Sequence, residues 1–512
     1  MQYLFRKYLA LFSLVLLTSN YSFSAENETP ENQSLPNPYF MGVGGGYYFS
    51  GWGSQAVLEL NMELFSGLVN KYAQSTILPY SISLFAGGTD PEILDVVETV
   101  PNVSIEDELL ADLFPNAHYT NARLRHNKLE NLSGSATKNN VLGFLETIRD
   151  DMTEEDEFRF YYTGHGAKSE NYTANTLALW NGPITVPEFV SSLDTFNPKI
   201  HTQVVMVQCY SGGFADMNYV GGKVDAELSG ANRCGFFSQV KDEGAAGCTP
   251  DILEREEYSP YFFAAYAGVN EKGEAVNADY NGDDKITSDE AHAYVLIHEN
   301  SIDKPITTST QLLRDQNFEI THKLKMTKWE FFEKNLSPLE LTILRGLQVS
   351  TGYQIEKIES PLQFIEEKIS EINQQIERLT QSYRSMSEAF AHAQFIITRD
   401  LQMKFPIFAG AYGPQLGENY IMSLELIQKA KQAMILHADH KRVQNLFLER
   451  DKVEIQRDEW SRLLAKLKRI QYLLETKILA TSLEQSNKDN VKQKYQQLKN
   501  CESKPFFSKG VD

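Results

Sequence analysis

The sequence predicts an α/β sandwich built on a mostly parallel sheet, followed by an all-α coiled-coil region. Three observations carry that prediction. Two apolar runs, Phe158-Arg159-Phe160-Tyr161-Tyr162 and Gln203-Val204-Val205-Met206-Val207, each give way to glycine-containing stretches, as strands covered on both faces do. Between residues 38 and 300 strand-like runs alternate with amphipathic segments of helical length, the pattern of parallel crossovers. From Ile355 onward apolar residues recur in steps of three and four, the spacing of a heptad seam.

The chain has 512 residues, enough for more than one domain, and its 42% hydrophobic content is ordinary for a globular protein. Residues 1–25 read as a secretory signal peptide: Arg6 and Lys7 precede the apolar run Leu9 to Leu17, and Ser22, Ser24 and Ala25 offer a cleavage site. That run is too short to span a bilayer, and no later one approaches the roughly 18 apolar residues a span needs. The expectation is a secreted or periplasmic protein with no membrane span after cleavage. Loss of Arg6 and Lys7 moves the net charge from −20 to −22, which argues against nucleic acid or anionic lipid as partner. In an oxidising compartment Cys234 and Cys248, which enclose a short acidic loop, are candidates for a disulfide; Cys501 has no obvious partner. Asn102, Asn131 and Asn171 begin glycosylation triplets, relevant only in a glycosylating host.

Residues 26–37, rich in Asn, Glu, Pro and Ser, read as a disordered leader. A strand follows at Tyr39 to Tyr48, running into glycines that lack the Gly-Lys-Ser/Thr ending of a phosphate loop. Val57, Leu60, Leu64, Leu68 and Tyr72 mark a helix over 56–73, and Ile82 to Ala86 a strand, closing a parallel strand–helix–strand unit. Asp90 to Ser135 is a polar connection. Asn139 to Arg149 forms an amphipathic helix leading into the Phe158 strand; Leu177 to Trp180 is a further strand, and a helix beginning at Thr185 or Val186 returns the chain to the Gln203 strand. Gly235 to Val240 is the next strand.

The chemistry sits where the two apolar runs end. The first leads into Thr163-Gly164-His165-Gly166, the second into Gln208-Cys209-Tyr210-Ser211-Gly212-Gly213. Ligands of parallel sheets bind beyond the carboxyl ends of the strands, so His165 and Cys209 are expected side by side there. A thiol becomes an effective nucleophile when a neighbouring imidazole takes its proton. The backbone N–H groups of Gly166 and Cys209 are natural oxyanion donors.

These two blocks, in this order, resemble the clan of cysteine peptidases that includes caspases, legumains, gingipains and separases. The resemblance covers about Pro38 to His298. It implies a caspase-like three-layer sandwich over 38–300 and a cysteine endopeptidase acting on protein or peptide substrates, with Cys209 as nucleophile, His165 as proton shuttle and no cofactor for catalysis. Legumains carry an Asn-Tyr-Arg-His stretch after their first strand, whose Asn supports the catalytic His; the matching residues here, Gly51-Trp52-Gly53-Ser54, supply neither Asn nor Arg. The resemblance also places Ser238, and with it Asp242 or Glu243, near the substrate. An acidic wall there would favour Lys or Arg, although Asp242 and Glu243 also read as a solvated turn. Two other readings stay open: a transpeptidase passing the acyl group to an amine, and an inactive caspase-fold scaffold acting through its coiled coil.

Asp279 to Glu290 has the spacing of a calcium loop, with ligands expected from Asp279, Asn281, Asp283, the Lys285 carbonyl, Thr287 and Glu290 in a structural Ca2+ site. Asp284 stands where the pattern prefers Gly. Residues 301–350 read as a linker and helical connection. Over 351–512 the seam runs Ile355, Ile358, Leu362, Ile365, Ile369, Ile372, Ile376, Leu379, Tyr383 and Met386, with a helix start at Ser360-Pro361. Further helices are expected at Tyr420–Arg450 and Val453–Ser482, folding back as an antiparallel hairpin or three-helix bundle, or pairing with a partner or a second copy.

Overall fold

Val, Phe and Tyr crowd both faces of the central strands, so these can form only where helices cover the sheet on each side. The computed structural model describes residues 38–46, 53–73, 80–99, 103–114, 122–168, 174–247, 255–316, 327–408 and 416–507. The expected signal peptide and leader, Gly51, Trp52, Asn102, Asn171 and Cys248 lie outside the described residues.

The chain begins with β1 (Pro38–Gly44), β2 (Ser54–Gln55), α1 (Ala56–Ala73) and β3 (Tyr80–Phe85), and β1 pairs with β3 in parallel as a strand–helix–strand unit requires. The polar connection is itself structured: β4 (Val96–Thr99), α2 (Ile105–Leu113) and β5 (Ala122–Arg125) follow, and β2, β4 and β5 form a small separate sheet. Then come α3 (Lys138–Asp151), β6 (Glu157–Thr163), the antiparallel trio β7 (His165–Ala167), β8 (Thr176–Leu179) and β9 (Gly182–Thr185), α4 (Val186–Leu193), β10 (His201–Met206) and β11 (Arg233–Phe237). Thr185 caps α4 in a reciprocal box with Glu188, fixing where that helix starts. Next are α5 (Tyr258–Ala267), α6 (Ser288–His298), β12 (Ile306–Thr307) and α7 (Thr308–Asp315).

The main sheet has the order β12-β11-β10-β6-β1-β3, parallel except where β12 meets β11. Phe158, Phe160 and Tyr162 of β6 face one core with Val141, Leu145, Phe189 and Val190 of α3 and α4. Tyr161 faces the other, with Phe65 of α1 and Phe262 and Phe263 of α5. Each buried ring contributes about 1.5–3 kcal/mol relative to exposure. The molecule is thus a mixed α/β protein whose mainly parallel sheet lies between helical layers, with a helical carboxyl-terminal region.

That region starts with α8 (Trp329–Asn335) and α9 (Pro338–Thr351), then the long α10 (Pro361–Lys404), α11 (Leu416–Ile435), α12 (His440–Glu484) and α13 (Asp489–Glu502). Ser360 stands at the N-cap of α10 and Pro361 opens its first turn, although the serine side chain makes no capping bond. Ile365, Ile369 and Ile372 pack with Leu467, Ile470, Leu474 and Ile478, while Phe390 and Ile397 pack with Val443 and Phe447. Start therefore meets end, and α10 and α12 form an antiparallel hairpin whose far end, with α11, rests on Leu109, Leu110 and Leu113 of α2. The expected break near Arg450 is corrected: Asp451 and Lys452 lie inside α12, since no Gly or Pro interrupts the helix there, and the turn falls at Leu436–Asp439, where His437 Nδ1 accepts from Asp439 N–H at 3.1 Å. Among the described residues no helix is long and apolar enough to cross a membrane.

The chain end returns to the sheet. Phe506 and Phe507 join the α1/α5 core, the buried Arg159 guanidinium donates to the carbonyls of Pro505 and Phe506, and Gln203 Nε2 donates to those of Cys501 and Lys504. Cys234 is disulfide-bonded to Cys501, which corrects the expected pairing with Cys248. Spacing along the chain had favoured the near cysteine; the docking of α13 over β11 brings in the distant one.

Candidate active site

β6 and β10 are neighbours, paired in parallel with Tyr162 opposite Met206, so both chemical blocks emerge at one edge of the sheet. From Thr163, whose hydroxyl accepts from Asn61 Nδ2 at 3.0 Å, the chain turns into β7. The single proton of the Tyr162 hydroxyl is within reach of the carbonyls of both His165 (2.9 Å) and Ala178 (2.7 Å), placing the hydroxyl between the start of β7 and β8. Gly166 then passes the Cys209 backbone so closely that a Cβ on it would lie 2.2 Å from the Cys209 carbonyl oxygen. Glycine alone permits that approach. The two residues expected to donate to an oxyanion, Gly166 and Cys209, are thereby in contact.

His165 Nε2 lies 2.7 Å from Oε1 of Gln55, the last residue before α1. An amide oxygen only accepts, so Nε2 carries the proton and Nδ1 is the basic nitrogen of the neutral ring. Burial lowers the imidazole pKa below its usual value, which favours that neutral form. Gln55 carries no mark of this contact in the sequence: Gly51 to Ser54 hold no carboxamide, and one stands at the next position. Ser54 instead accepts from Gly46 N–H through its hydroxyl, at 2.9 Å, and so shapes the turn after β1.

Cys209 occupies a sharp strand-to-helix turn. Tyr210, immediately after it, has φ +60°, unusual for a residue with a side chain, and a 3-10 helix follows over Ser211–Asn218. Gly212 N–H donates to Gln239 O at 2.8 Å, and Asn175 Nδ2 holds the carbonyls of Tyr210 and Lys241 at 3.0 and 2.7 Å. Cys209 is intermediate in exposure and is not part of a disulfide. Its sulfur accepts a hydrogen bond from Ala245 N–H at 3.2 Å.

Of the residues expected near substrate, Ser238 is fully buried with its hydroxyl 3.4 Å from that of Ser211, a packing position. Asp242 is exposed, and Glu243 is ion-paired with Lys304. These residues begin the segment that crosses Cys209.

The calcium-loop residues lie between α5 and α6. Asp284 takes φ +62°, the left-handed turn that the sixth position of such a loop requires. The Asp279 carboxylate accepts from the N–H groups of Gly282 (2.7 Å) and Asp284 (2.9 Å), the Asn281 side-chain oxygen from Asp283 N–H (2.8 Å), and Asp283 from Lys285 N–H (3.0 Å). Glu290 reaches back to Tyr280 N–H (3.1 Å) and also caps α6 with Thr287. In this loop the side-chain oxygens of Asp279, Asn281 and Asp283 are engaged by the loop's own backbone N–H groups.

No protein-family model matches the chain, and no curated protein matches it. Among solved structures, the crystal structure of a protein from Geobacter sulfurreducens is similar over 53% of this chain and 92% of its own, at 10% identity and a TM-score of 0.33. A similarity of that size carries no functional argument.

Proposed function

We propose that the chain is an exported cysteine endopeptidase of caspase/legumain type, secreted or periplasmic, with Cys209 and His165 as a catalytic dyad. The observation that carries the reading is the closure of Gly166 onto Cys209 at the sheet edge where Gln55 orients the His165 imidazole. In the reaction, the Cys209 thiol passes its proton to His165 as sulfur bonds to the peptide carbonyl carbon. Backbone N–H groups stabilise the oxyanion, worth several kcal/mol in known enzymes. Collapse breaks the C–N bond, His165 returns the proton to the leaving amine, and a thioester remains. Water, deprotonated by the same imidazole, attacks the thioester and releases the acid and the thiol. The loop Asp279 to Glu290 would hold a Ca2+ ion as a structural tie, outside the chemistry.

The test combines a mixed peptide library with alkylation of Cys209 by iodoacetamide. Cleavage lost in Cys209→Ala, with labelling at least about tenfold slower in His165→Ala, supports the dyad. Equal labelling in wild type and His165→Ala, without cleavage, leaves a scaffold acting through its helical region. Turnover that requires an added amine identifies acyl transfer instead.

A further inference from the structure

The segment after β11 crosses the sulfur of Cys209 and is fastened on every side. Ala245 N–H donates to Cys209 Sγ at 3.2 Å, and a Cβ on Gly244 would stand 3.6 Å from the same atom. Upstream, Tyr210 N–H donates to Glu243 O at 2.9 Å and Gln239 Nε2 to Gly244 O at 2.8 Å. Downstream, Ala246 N–H donates to Asp303 Oδ1 at 2.8 Å. The Glu243 carboxylate pairs with Lys304, whose own N–H is held by Gln239 Oε1 at 3.2 Å. Cys209 is partly exposed, but backbone of this segment lies directly against its sulfur, the atom a substrate carbonyl must reach.

The turn that grips the segment is itself gripped from behind. Arg469, in the middle of the long helix α12, is completely buried and spends its fork on that turn: Nε to Asp303 O (3.0 Å), Nη1 to Glu299 O (2.9 Å) and Leu296 O (3.2 Å), Nη2 to Glu299 Oε2 (2.9 Å). Ser301 stitches it together, donating to Glu299 Oε1 at 2.7 Å and accepting from Asp303 N–H at 2.9 Å. One turn further along α12, Tyr472 packs against the core below and is covered by the Arg314 guanidinium, 4.3 Å from its ring. Residues 299–304 therefore have one face on the helical arm and the other on the segment that covers the thiol.

We propose that residues 241–247 are an internal inhibitory segment seated on Cys209, and that the α10/α12 arm sets its hold through Arg469 and the turn 299–304. The proposal rests on the reading of Cys209 as nucleophile, but its central claim, occlusion of the sulfur, is measured without any peptidase activity. Anything that shifts α12 loosens the turn, frees Ala245 and Ala246 and opens the cleft; the arm is thus a handle on the site rather than a separate module.

The experiment compares iodoacetamide alkylation of Cys209 and hydrogen exchange in 241–247 among wild type, Glu243→Ala and Arg469→Lys, with melting monitored in parallel. Glu243 is partly exposed and its removal leaves the core intact; Lys keeps the charge of Arg469 but cannot reach the three carbonyls and the carboxylate together. Both variants are expected to alkylate about tenfold faster and to exchange faster over 241–247, as loss of an anchoring bond raises the open population. Rates within about twofold of wild type and unchanged exchange in both variants overturn the proposal. A response in Glu243→Ala alone keeps the inhibitory segment and overturns control by the arm. Should Arg469→Lys fail to fold, exchange in 241–247 of Lys304→Gln, beside the same turn, decides whether that turn holds the segment. Faster alkylation with no library cleavage upholds occlusion and overturns the peptidase reading; ready cleavage by wild type with unchanged alkylation in the variants does the reverse.

Discussion

Gln55 Oε1 and His165 Nε2 lie 2.7 Å apart, joining the residue just before the first helix to the imidazole that opens β7, two residues past the third main-sheet strand in chain order. The amide fixes the ring orientation without charging it. Replacing it with a carboxylate changes that. In Gln55→Glu the anion favours imidazolium, so the His165 pKa is expected to rise by about one unit, seen by NMR titration of the ring protons. Gln55→Ala should leave the fold intact and lower kcat about 10–100-fold with little change in KM, the loss expected of a positioning residue. An unchanged titration in Gln55→Glu would show that the contact does not hold the ring.

Much of the sheet was legible because its strands advertise themselves: Phe158 to Tyr162 and Gln203 to Val207 are apolar on both faces, and glycine ends them. The helix over 56–73 was equally plain from its 3.6-residue period. What escaped depended on contacts between distant residues. Gln55 carries no local sign of its role. Cys501 could not be matched to Cys234 without knowing that α13 lies over β11, and the four-residue strands β4 and β5 pair, among the described residues, with each other and β2. Arg469 is one of many charged residues on α12, and nothing local in the sequence marks it as the one that is wholly buried.

Gly166→Ala tests the closure of the site. The added methyl would meet a carbonyl oxygen of the backbone, which cannot rotate away, so β7 must move from Cys209. The expected cost is about 1–3 kcal/mol, with a larger relative loss of peptide cleavage than of stability. Paired melting and activity measurements check it; a variant as active as wild type would mean that this approach does not define the site.

The Cys234–Cys501 disulfide spans 267 residues and clamps the chain end to the sheet. On the chain-entropy account a loop that long is worth roughly 5 kcal/mol. Cys501→Ser is expected to lower the melting temperature markedly and to abolish the effect of reductant: reductant should destabilise wild type and leave the variant unchanged. Non-reduced peptide mapping should recover one fragment linking Cys234 to Cys501.

Calcium in the Asp279 loop would bind the native state and therefore stabilise it. Chelation should lower the melting temperature of wild type, and Asp279→Ala together with Glu290→Gln should abolish the difference. Isothermal titration with CaCl2 measures the site directly, and absence of any heat or stabilisation at millimolar calcium would remove the ion from the picture.

Glu257 gives the chain a pH signature. It is buried beside α5, accepts from Asn61 Nδ2 at 2.9 Å, and through Asn61 connects to Thr163 at the end of β6. Burial, opposed by the Arg255 guanidinium, pushes its pKa up to about 7. A carboxyl raised in the native state holds its proton where the unfolded chain has released it, so its contribution is complete below about pH 4.5 and is lost as pH rises through about 7. Gln keeps the acceptor for Asn61 and cannot ionise. Glu257→Gln is therefore expected to gain stability relative to wild type as pH rises from about 4.5 to 7, by on the order of 3 kcal/mol, and to hold that advantage above it. Denaturant unfolding at pH 4.5, 6, 7 and 8 measures the difference. A constant offset across the series would place the Glu257 pKa in the ordinary carboxylate range and return Arg255 to the role of full partner.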